Sequence, residues 1–373
     1  MLKTNRNLVL LGGGHAHLEV LADWARRGGP DAHTVLVSPH RHTRYSGMLP
    51  GTVAGEYTAE EGLINLAALA QHAGAEFMLD RCLAIDPERR LVETEQGHSI
   101  PFEFCSVDTG GIGRARDILG RDPRILDVRP IGDFLNCLSR RVEMMRGKAK
   151  RIAVVGGGAG GVELAFALRR RFADEGAQVT LVAGESGLLS GFSSKAKSLA
   201  RREMRRQGVV VIEQDARFEG SSLVAGQLSL EPVDLIVASL GAGAPEWPAN
   251  SGIAVGMDGF IAVDRYQRSL SHPNILAAGD VATRQDGSVA RSGVHAVHAG
   301  PVIAENLRRL VKDRHALRSY TPRRASLYLI STADGKAIAS YGMFAAHGRW
   351  AGRLKRWTDL RWTTSFATLT RAM

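Results

Sequence analysis

The stretch IAVVGGGAGGVELA, residues 152–165, decides the fold of this chain. A short apolar run, typical of a buried strand, ends in the GxGxxG spacing of Gly156, Gly158 and Gly161, and a helical pattern follows. Glycines at such a turn let the backbone approach a pyrophosphate, and the helix directs its unpaired N–H groups and positive dipole end at the negative charge. With a strand and a helix on its two sides, the turn predicts a dinucleotide site rather than a purely structural glycine turn.

A second turn of the same kind, VLLGGGHAH, occupies residues 9–17. It keeps Gly12 and Gly14 but has His17 where the third glycine is expected. Because that glycine normally allows close packing of helix on strand, we expect the helix to stand off slightly or the imidazole to project outward. Two such turns in one chain predict two dinucleotides, most simply FAD and NAD(P)H.

An acidic residue that holds the adenosine ribose is expected about 20 residues past each turn. The corresponding strands end at Ser38 and Ala183, and neither residue is acidic. Ser38 can still offer one hydrogen bond, and Glu185 lies two residues beyond Ala183. If Glu185 takes the role, NADH is preferred over NADPH, because a carboxylate repels the 2′-phosphate.

The rest of the chain repeats one architecture. A β-α-β pattern opens at Asn7 and again at Arg151, and a helix is predicted over residues 133–146. The turn after Val107 is echoed at Gly241, and NILAAGD, residues 274–280, reads as a strand that ends at an aspartate. The predicted fold class is α/β, with two Rossmann-like domains, followed by a hairpin at residues 325–341 and a short α+β region.

The composition restricts the cellular compartment in which we expect the protein to be found. Cys82, Cys105 and Cys137 lie far apart, with no CxxC, which indicates a reducing compartment and no dithiol centre. Lys3 and Arg6 precede only a short apolar run, so we expect no signal peptide and a cytoplasmic location. No apolar stretch approaches the roughly 18 to 20 residues of a spanning helix, so any membrane contact is expected to be peripheral.

The net charge of +10 is concentrated in a basic, aromatic tail, residues 347–373. Trp350, Leu354 and Trp357 share one helical face beside Arg353 and Arg356, which suits a helix lying on an anionic membrane surface. The alternative is a segment that packs on its own domain or on a partner subunit. The tail has no recognised nucleic-acid-binding pattern, so no nucleic acid is expected. The tail's basic residues and its one acid are Arg349, Arg353, Lys355, Arg356, Arg361, Arg371 and Asp359.

The order of the two glycine turns and the late AxGD motif resembles the flavoproteins of the pyridine nucleotide-disulfide oxidoreductase superfamily, over nearly the whole chain. Within it the chain is similar to type II NADH dehydrogenases and sulfide:quinone oxidoreductases. The stretches YSGMLPG, residues 45–51, and VRPI, residues 128–131, resemble the NADH-dehydrogenase-like flavoprotein often fused to selenide, water dikinase. The resemblance implies a glutathione-reductase-like two-domain fold.

In that fold an NAD(P)H-binding domain, residues 116–262, is inserted into an FAD-binding domain of residues 1–115 and 263–322. Residues 323–373 form the C-terminal hairpin and tail. The resemblance implies that the first turn and Asp280, which bonds the ribityl chain, hold FAD. The implied FAD residues are Gly12, Gly13, Gly14, His15, Ala16, Ser38, Pro39, Cys82, Thr109, Gly110, Gly279, Asp280 and His295. The NAD(P)H residues are Gly156, Gly158, Ala159, Gly160, Gly161, Glu185 and Gly241.

Glu163 and His298 are the predicted catalytic residues. In the resembled dehydrogenases a glutamate at the position of Glu163 lies near nicotinamide and flavin; the alternative is an acid favoured by the helix dipole. His295 and His298 fall where relatives cover the isoalloxazine and begin a quinone channel, and they can relay protons. The alternative for either is a structural histidine. No metal is expected, because His15, His17, His40 and His42 have no cysteine or carboxylate at ligand spacing.

The expected activity is transfer of a hydride from NAD(P)H to flavin, and then of electrons to a quinone. A sulfide:quinone oxidoreductase would need a cysteine pair near the flavin, and residues 277–300 contain none. A flavin- and NADH-responsive binding or sensing subunit with incidental turnover is the alternative from another class. The sequence leaves the acceptor open, and a homodimer remains open as well.

Overall fold

The computed structural model describes residues 6–145, 150–287, 289, 291–323 and 325–370. Lys3, Arg146 at the predicted end of one helix, and tail residues 371–373 lie outside the described residues. The helices are α1 (His15–Arg27), α2 (Leu49–Val53), α3 (Leu66–His72), α4 (Ala115–Leu119), α5 (Ile131–Met144), α6 (Ala159–Arg171), α7 (Ser194–Arg206), α8 (Trp247–Asn250), α9 (Gly293–Val311) and α10 (Arg349–Thr370).

Short 3₁₀ turns lie at Ser46–Met48 and Gly279–Val281. The first strands are β1 (Asn7–Leu11), β2 (His33–Ser38), β3 (His42–Arg44), β4 (Leu63–Asn65), β5 (Glu76–Leu79), β6 (Cys82–Asp86), β7 (Leu91–Thr94), β8 (Ser99–Pro101), β9 (Phe104–Val107), β10 (Ile125–Asp127) and β11 (Arg151–Val155). The later strands are β12 (Gln178–Val182), β13 (Val210–Ile212), β14 (Ala216–Glu219), β15 (Ser222–Ala225), β16 (Leu228–Ser229), β17 (Leu235–Ala238), β18 (Ile261–Val263), β19 (Ile275–Ala277), β20 (Ala282–Arg284), β21 (Leu327–Ser331), β22 (Ala337–Tyr341) and β23 (Phe344–Gly348).

The first parallel sheet has the strand order β19-β9-β1-β2-β5. Leu11 pairs with Val37 and Val107, and Val107 pairs with Ala277, so these strands end side by side. The residues that follow the strands therefore meet at one edge of the sheet. Because β19 comes after the whole second sheet in sequence, this sheet is built from two separate parts of the chain.

The second parallel sheet has the order β10-β17-β11-β12-β13, with Val155 opposite both Val182 and Ala238. Its three central strands, β17, β11 and β12, are apolar and mostly buried, as expected of a parallel sheet covered on both faces. The predicted α/β class with two Rossmann-like units is confirmed. The domain limits at residues 115, 262 and 322 stay a prediction.

Several elements differ from the sequence expectation. The sequence did not predict α4 or β10, which lie between the two parallel sheets in the chain, and β10 is an edge strand of the second sheet. The C-terminal hairpin forms as β21 and β22, but β23 adds an antiparallel third strand. A small antiparallel sheet, β14-β15-β16, was not predicted either. These short strands have no long hydrophobic period, which is the signal on which the prediction rests.

Helix α10 has two different faces. Ala351, Lys355, Asp359 and Phe366 are buried, at the spacing of one helix face, whereas Trp350 and Trp357 are 54 % and 55 % exposed. Within the described part of the chain, none of the helices has the length and apolar character needed to cross a membrane.

Candidate functional site

The first glycine turn fits closely against the end of β9. Gly12 has φ +89°, and a Cβ there would lie 2.5 Å from the carbonyl oxygen of Asp108. A Cβ at Gly14 would collide with the Asp108 carboxyl group, and the Gly14 N–H donates to the Asp108 carbonyl at 3.2 Å. Packing therefore requires glycine at both positions, and α1 begins directly at the edge of the sheet.

His17 is buried, contrary to our expectation that it projects outward or holds the helix away. Its Nδ1 lies 2.7 Å from the Gly12 carbonyl oxygen, and its Nε2 lies 2.9 Å from the hydroxyl of Ser106. Nδ1 must donate to the carbonyl, so Nε2 of the neutral ring accepts from the hydroxyl. Burial lowers the pKa of His17 to about 4. The imidazole thus connects α1 to the turn after β1 and to β9. These bonds take the place of the close contact that a third glycine would allow.

Asp108 lies at the N-terminal end of α1, where its carboxyl oxygen accepts the His17 N–H at 2.9 Å. Burial raises the pKa of this carboxyl to about 7, although hydrogen bonds from the helix N-terminus favour the ionised form. Sequence analysis treated this residue only as the start of a turn. Below pH 7 the side chain is mostly neutral, and so it adds little negative charge to the proposed phosphate site.

The glycines of the second turn are of two kinds: Gly156 and Gly161 are required by close packing, whereas Gly158 borders open space. A Cβ at Gly156, where φ is +128°, would collide with the Ser239 carbonyl, and a Cβ at Gly161 would collide with the Gly156 carbonyl. Gly158 is the N-cap of α6, and a Cβ there would meet no atom within 4 Å. Gly158, Ala159 and Gly160 therefore lie at a helix N-terminus that opens to solvent at Gly158.

The predicted adenosine contacts of the first site lie along its sheet edge. Ser38 is buried at the end of β2, and its hydroxyl donates to the His40 carbonyl at 3.2 Å; Pro39 lies between them. Cys82 begins β6, and burial raises its pKa to about 12, which keeps it a neutral thiol. Thr109 and Gly110 directly follow Asp108 at the same edge.

At the second site Glu185 is exposed, and its N–H donates to Asp215 Oδ1 at 3.1 Å. Its side chain lies at the surface, three residues past Val182, where β12 ends one residue earlier than the sequence predicted. Gly241 follows β17 with φ +78°. Asp215 is a second carboxylate beside this strand end, which sequence analysis did not identify because it belongs to a later loop.

Asp280 lies in the turn after β19 and pairs with an unpredicted partner. Nη2 of Arg129 donates to Asp280 Oδ2 at 2.6 Å, with both side chains about four-fifths buried. Gly279 precedes it with φ +68°, and a Cβ there would collide with Asp108. Because Arg129 follows β10 of the second sheet, this ion pair connects the two sheets. Arg129 belongs to the VRPI stretch, which sequence analysis used only for the resemblance.

Glu163 is the centre of a buried cluster of charged side chains. Its Oε1 accepts the Ser331 N–H at 2.8 Å and lies 3.6 Å from Nζ of Lys355. The same Nζ lies 3.3 Å from Asp359 Oδ2, which accepts from the Tyr57 hydroxyl at 3.1 Å. We call Glu163, Lys355, Asp359 and Tyr57 the charge cluster. Its members come from α6, α10 and the loop after α2.

One ammonium group in this cluster serves two buried carboxylates. Burial opposes the charge on Lys355, but attraction to Glu163 and Asp359 outweighs it and raises the Lys355 pKa. Burial also raises the pKa of Glu163 and of Asp359, and Lys355 offsets only part of this. Lys355 therefore stays protonated while the two carboxyl groups compete for one cation, so the cluster can hold an additional proton.

Beside the charge cluster lie the contacting rings of His15, Tyr45 and Trp362, which we call the aromatic wall. Trp362 of α10 stacks on His15, with ring centroids 5.5 Å apart and an interplanar angle of 21°, and lies 4.4 Å from the Tyr45 ring. Its indole N–H donates to Glu19 Oε1 at 2.7 Å. Burial raises the Glu19 pKa, and the nearby His298 is among the groups that lower it. His298 itself donates from Nδ1 to a carbonyl one turn earlier in α9, at 2.7 Å.

His295 lies on another side of α9, where its Nδ1 is 2.9 Å from the Tyr320 hydroxyl. Burial, and then the neighbouring His298, lowers the His295 pKa. Among the described residues no group of three or more His, Cys, Asp or Glu is placed to share a metal ion.

Lys355 and Asp359 are the residues that sequence analysis misplaced. We counted Lys355 with the basic residues of a membrane-facing tail, yet it is 7 % exposed and lies inside the molecule. The available signal was the spacing of Ala351, Lys355, Asp359 and Phe366 along one helix face. Charged residues on a helix face usually indicate that the face is exposed to solvent. Burial of Lys355 and Asp359 can be recognised only when the position of Glu163 is known.

Two Rossmann-like sheets, each with a glycine turn and a helix N-terminus at its carboxyl edge, define a two-dinucleotide oxidoreductase fold. Residues 6–300 match the family model described as pyridine nucleotide-disulphide oxidoreductase, and the chain belongs to this family. It is a family of flavin-dependent NAD(P)H oxidoreductases.

Relatives and solved structures agree with this assignment. Ferroptosis suppressor protein 1 of Taeniopygia guttata is 23% identical, over 75% of this chain and 74% of that protein. An NADH oxidase of Lactococcus lactis is 32% identical over 44% of this chain, but only 39% of its own length is covered.

Two solved structures match almost the whole chain. The sulfide:quinone oxidoreductase of Aquifex aeolicus has a TM-score of 0.80 at 15% identity and covers 98% of this chain and 92% of its own. NDH2 of Plasmodium falciparum, solved in complex with NADH, has a TM-score of 0.79 at 14% identity, covering 97% and 98%. At these identities the likeness concerns the fold.

Proposed function

We propose that this protein is an FAD-dependent NAD(P)H:quinone oxidoreductase that favours NADH as donor. The observation that carries the proposal is the buried charge cluster, in which Glu163 of the second dinucleotide fold contacts Lys355 and Asp359 of α10. The cluster lies next to the aromatic wall, so proton-holding groups and flat aromatic surfaces occur together. Two structural neighbours, a sulfide:quinone oxidoreductase and NDH2 in complex with NADH, support the same class of acceptor and the same donor.

The residues present fit both dinucleotides. We assign FAD to the edge formed by residues 12–14, Thr109, Gly110 and Asp280, with the Arg129 guanidinium supplying positive charge near the pyrophosphate. NAD(P)H is assigned to the open N-terminus of α6 at Gly158. Glu185 is assigned to the adenosine ribose of NADH. A carboxylate there disfavours the additional phosphate of NADPH.

When bound, the flavin supplies the hydride-accepting and electron-passing chemistry. The protein's part is to position the reactants and control protons. Glu163 is held by the Ser331 N–H and by Lys355, so its carboxylate has a fixed direction. The Lys355 ammonium is also fixed, by donating to the Gly47 carbonyl at 3.0 Å, and it stabilises negative charge that develops near it.

Quinone reduction takes up protons as well as electrons, and we assign their delivery to Glu19 and His298. Burial raises the Glu19 pKa above its usual value, which favours the protonated form that a proton donor needs. Glu19 also holds the Trp362 indole, and Trp362 with Tyr45 provides the aromatic faces against which a quinone ring can stack.

We further propose peripheral binding to an anionic membrane through one surface. Met343 and Phe344 at the β22–β23 turn are 81 % and 80 % exposed, and Trp350 and Trp357 lie exposed on α10. Arginines at positions 349, 353, 356 and 361 are exposed along the same helix. Exposed aromatic and basic side chains together suit the headgroup layer. In the second half of the tail, partly buried Trp362 and buried Phe366 instead pack against the core formed with α1 and α9.

Anaerobic stopped-flow spectroscopy tests the proposal. Adding NADH to the oxidised protein is expected to bleach its flavin within milliseconds to seconds, and a short-chain quinone is expected to restore the colour at a similar rate. Glu163→Gln keeps the hydrogen bond from Ser331 but removes the charge, so reduction is expected to slow by about ten-fold or more. Glu219→Gln, on an exposed strand, is the matched control. Reduction over many minutes with no quinone response would instead indicate a sensing subunit.

A further inference from the structure

A small, partly open cavity lies behind the first turn of α9, and no step of the activity proposed above uses it. Val263 and Gln267 line one side, Ser292 and His295 of the α9 region line another, and Tyr320 completes the wall. Its volume is about 40 Å³. Since one water needs about 10 to 15 Å³ by this measure, the space accepts about three water-sized groups.

Two polar groups in this wall have no hydrogen-bond partner. Gln267 is 4 % exposed, and its Nε2 is buried and unpaired; the Ser292 hydroxyl is also buried and unpaired. Because a buried polar group without a partner costs about 1–3 kcal/mol, two of them in one small cavity indicate that something polar fills it.

The first turn of α9 separates the cavity from the proposed flavin site. The Cβ position of Gly293 lies 3.8 Å from the Ser46 hydroxyl and 3.9 Å from the His15 ring. Ser292 and His295, in contrast, line the cavity on the side of Gln267 and Tyr320. The two sites therefore adjoin at Gly279, which lines the cavity and precedes Asp280, and otherwise use different sides of the same helix N-terminus.

The cavity wall offers donors and no carboxylate among the described residues. Gln267 Nε2 and the Ser292 hydroxyl can each donate one bond, and the 19-residue α9 directs its positive dipole end toward Ser292. Arg284 and Arg291 also line the cavity, paired with Asp286 and Asp258, which do not line it. The wall is thus suited to an acceptor with negative charge.

We propose that this cavity binds a carboxylate group, either of a short free acid or at the end of a larger metabolite. A carboxylate has three heavy atoms, which matches the available volume, and its two oxygens match the two unpaired donors. Because the arginine charges are already balanced by aspartates, binding rests on neutral donors and the helix dipole. We therefore expect a dissociation constant on the order of 1 mM.

Isothermal titration of the full chain with acetate, in chloride buffer of constant ionic strength, tests this. Wild type is expected to bind acetate but not the neutral isostere acetamide. Gln267→Met and Ser292→Ala are each expected to weaken acetate binding by about ten-fold, because each removes one donor. Gln285→Met, on an exposed residue outside the cavity wall, is the matched control and should bind as wild type does.

Melting temperatures with and without acetate check that the variants are folded, and a crystal grown with acetate shows what occupies the cavity. The proposal is overturned if wild type shows no acetate binding, if acetate and acetamide bind equally, or if only waters fill the cavity in the acetate crystal. Equal loss in Gln285→Met would also overturn it. None of these outcomes depends on electron transfer, so they are independent of the proposed function.

Discussion

Lys355 is the residue on which the proposed active site depends most. Its ammonium group is buried against Glu163 and Asp359 and donates to the Gly47 carbonyl. A buried ion pair contributes little net stability when intact, but removing one partner leaves uncompensated charge. The charge cluster thus contributes to stability as well as to the proposed chemistry, and substitutions have to distinguish these two roles.

Lys355→Met should lower the free energy of unfolding by about 3–5 kcal/mol, because Glu163 and Asp359 lose the ammonium group that they share. Urea unfolding measures this change. Arg353→Met, on the exposed side of the same helix, should change stability by less than about 0.5 kcal/mol. In the double variant Lys355→Met with Glu163→Gln, part of the loss should be recovered. No recovery would mean that lost packing, rather than charge, dominates.

Asp108 gives a pH prediction. Burial raises its pKa from 3.8 to about 7, so between about pH 4 and pH 7 the folded state holds a proton that the unfolded chain has released. Its contribution to stability therefore falls as pH rises through that window, by at most about 4 kcal/mol. Buried His15 and His17, whose pKa values are lowered to about 4, act in the opposite direction.

The difference between wild type and Asp108→Asn isolates this effect. Unfolding measured at several pH values should show wild type losing stability relative to the variant from pH 4 to pH 7 and no further relative change above pH 8. A constant difference across the range would show that Asp108 is ionised in the folded protein throughout.

At the scale of helices and strands, the sequence predicted those elements whose limits follow from a local hydrophobic pattern. Strands β1 and β11 begin at Asn7 and Arg151, and β9 ends at Val107, as expected, because each is a short apolar segment ended by a turn. The bond from His17 to Ser106 and the pairing of Glu163 with Lys355 join residues far apart in sequence. Hydrophobic periodicity does not predict such contacts. For this reason the prediction for the His17 imidazole was wrong and the charge cluster was not predicted.

Helix α10 has one face in the proposed active site and another toward solvent, which leads to a prediction for the exposed face. The double variant Trp350→Ser, Trp357→Ser should reduce binding to vesicles containing phosphatidylglycerol by about ten-fold or more, since both rings leave the headgroup layer. Vesicle co-sedimentation measures this. The control Leu228→Ser, Met257→Ser removes exposed apolar side chains elsewhere. Equal loss in both would point to non-specific adsorption.

On the scale of the whole molecule, the two parallel sheets meet where Arg129 bonds Asp280 and where Glu163 meets α10. The two glycine turns alone predicted the fold and the pair of nucleotides. The structure adds that the C-terminal helix contacts Glu163 of the second glycine-turn helix through Lys355. The central claim is therefore that both dinucleotides bind one chain and exchange electrons there.

The absorbance spectrum of the purified protein, followed during anaerobic titration with NADH, tests this claim most directly. We predict a flavin spectrum that bleaches fully with about one equivalent of NADH per flavin, and a released cofactor that is FAD. A chain that carries no flavin and binds none when FAD is added, or a flavin spectrum that excess NADH and NADPH leave unchanged, would contradict the account.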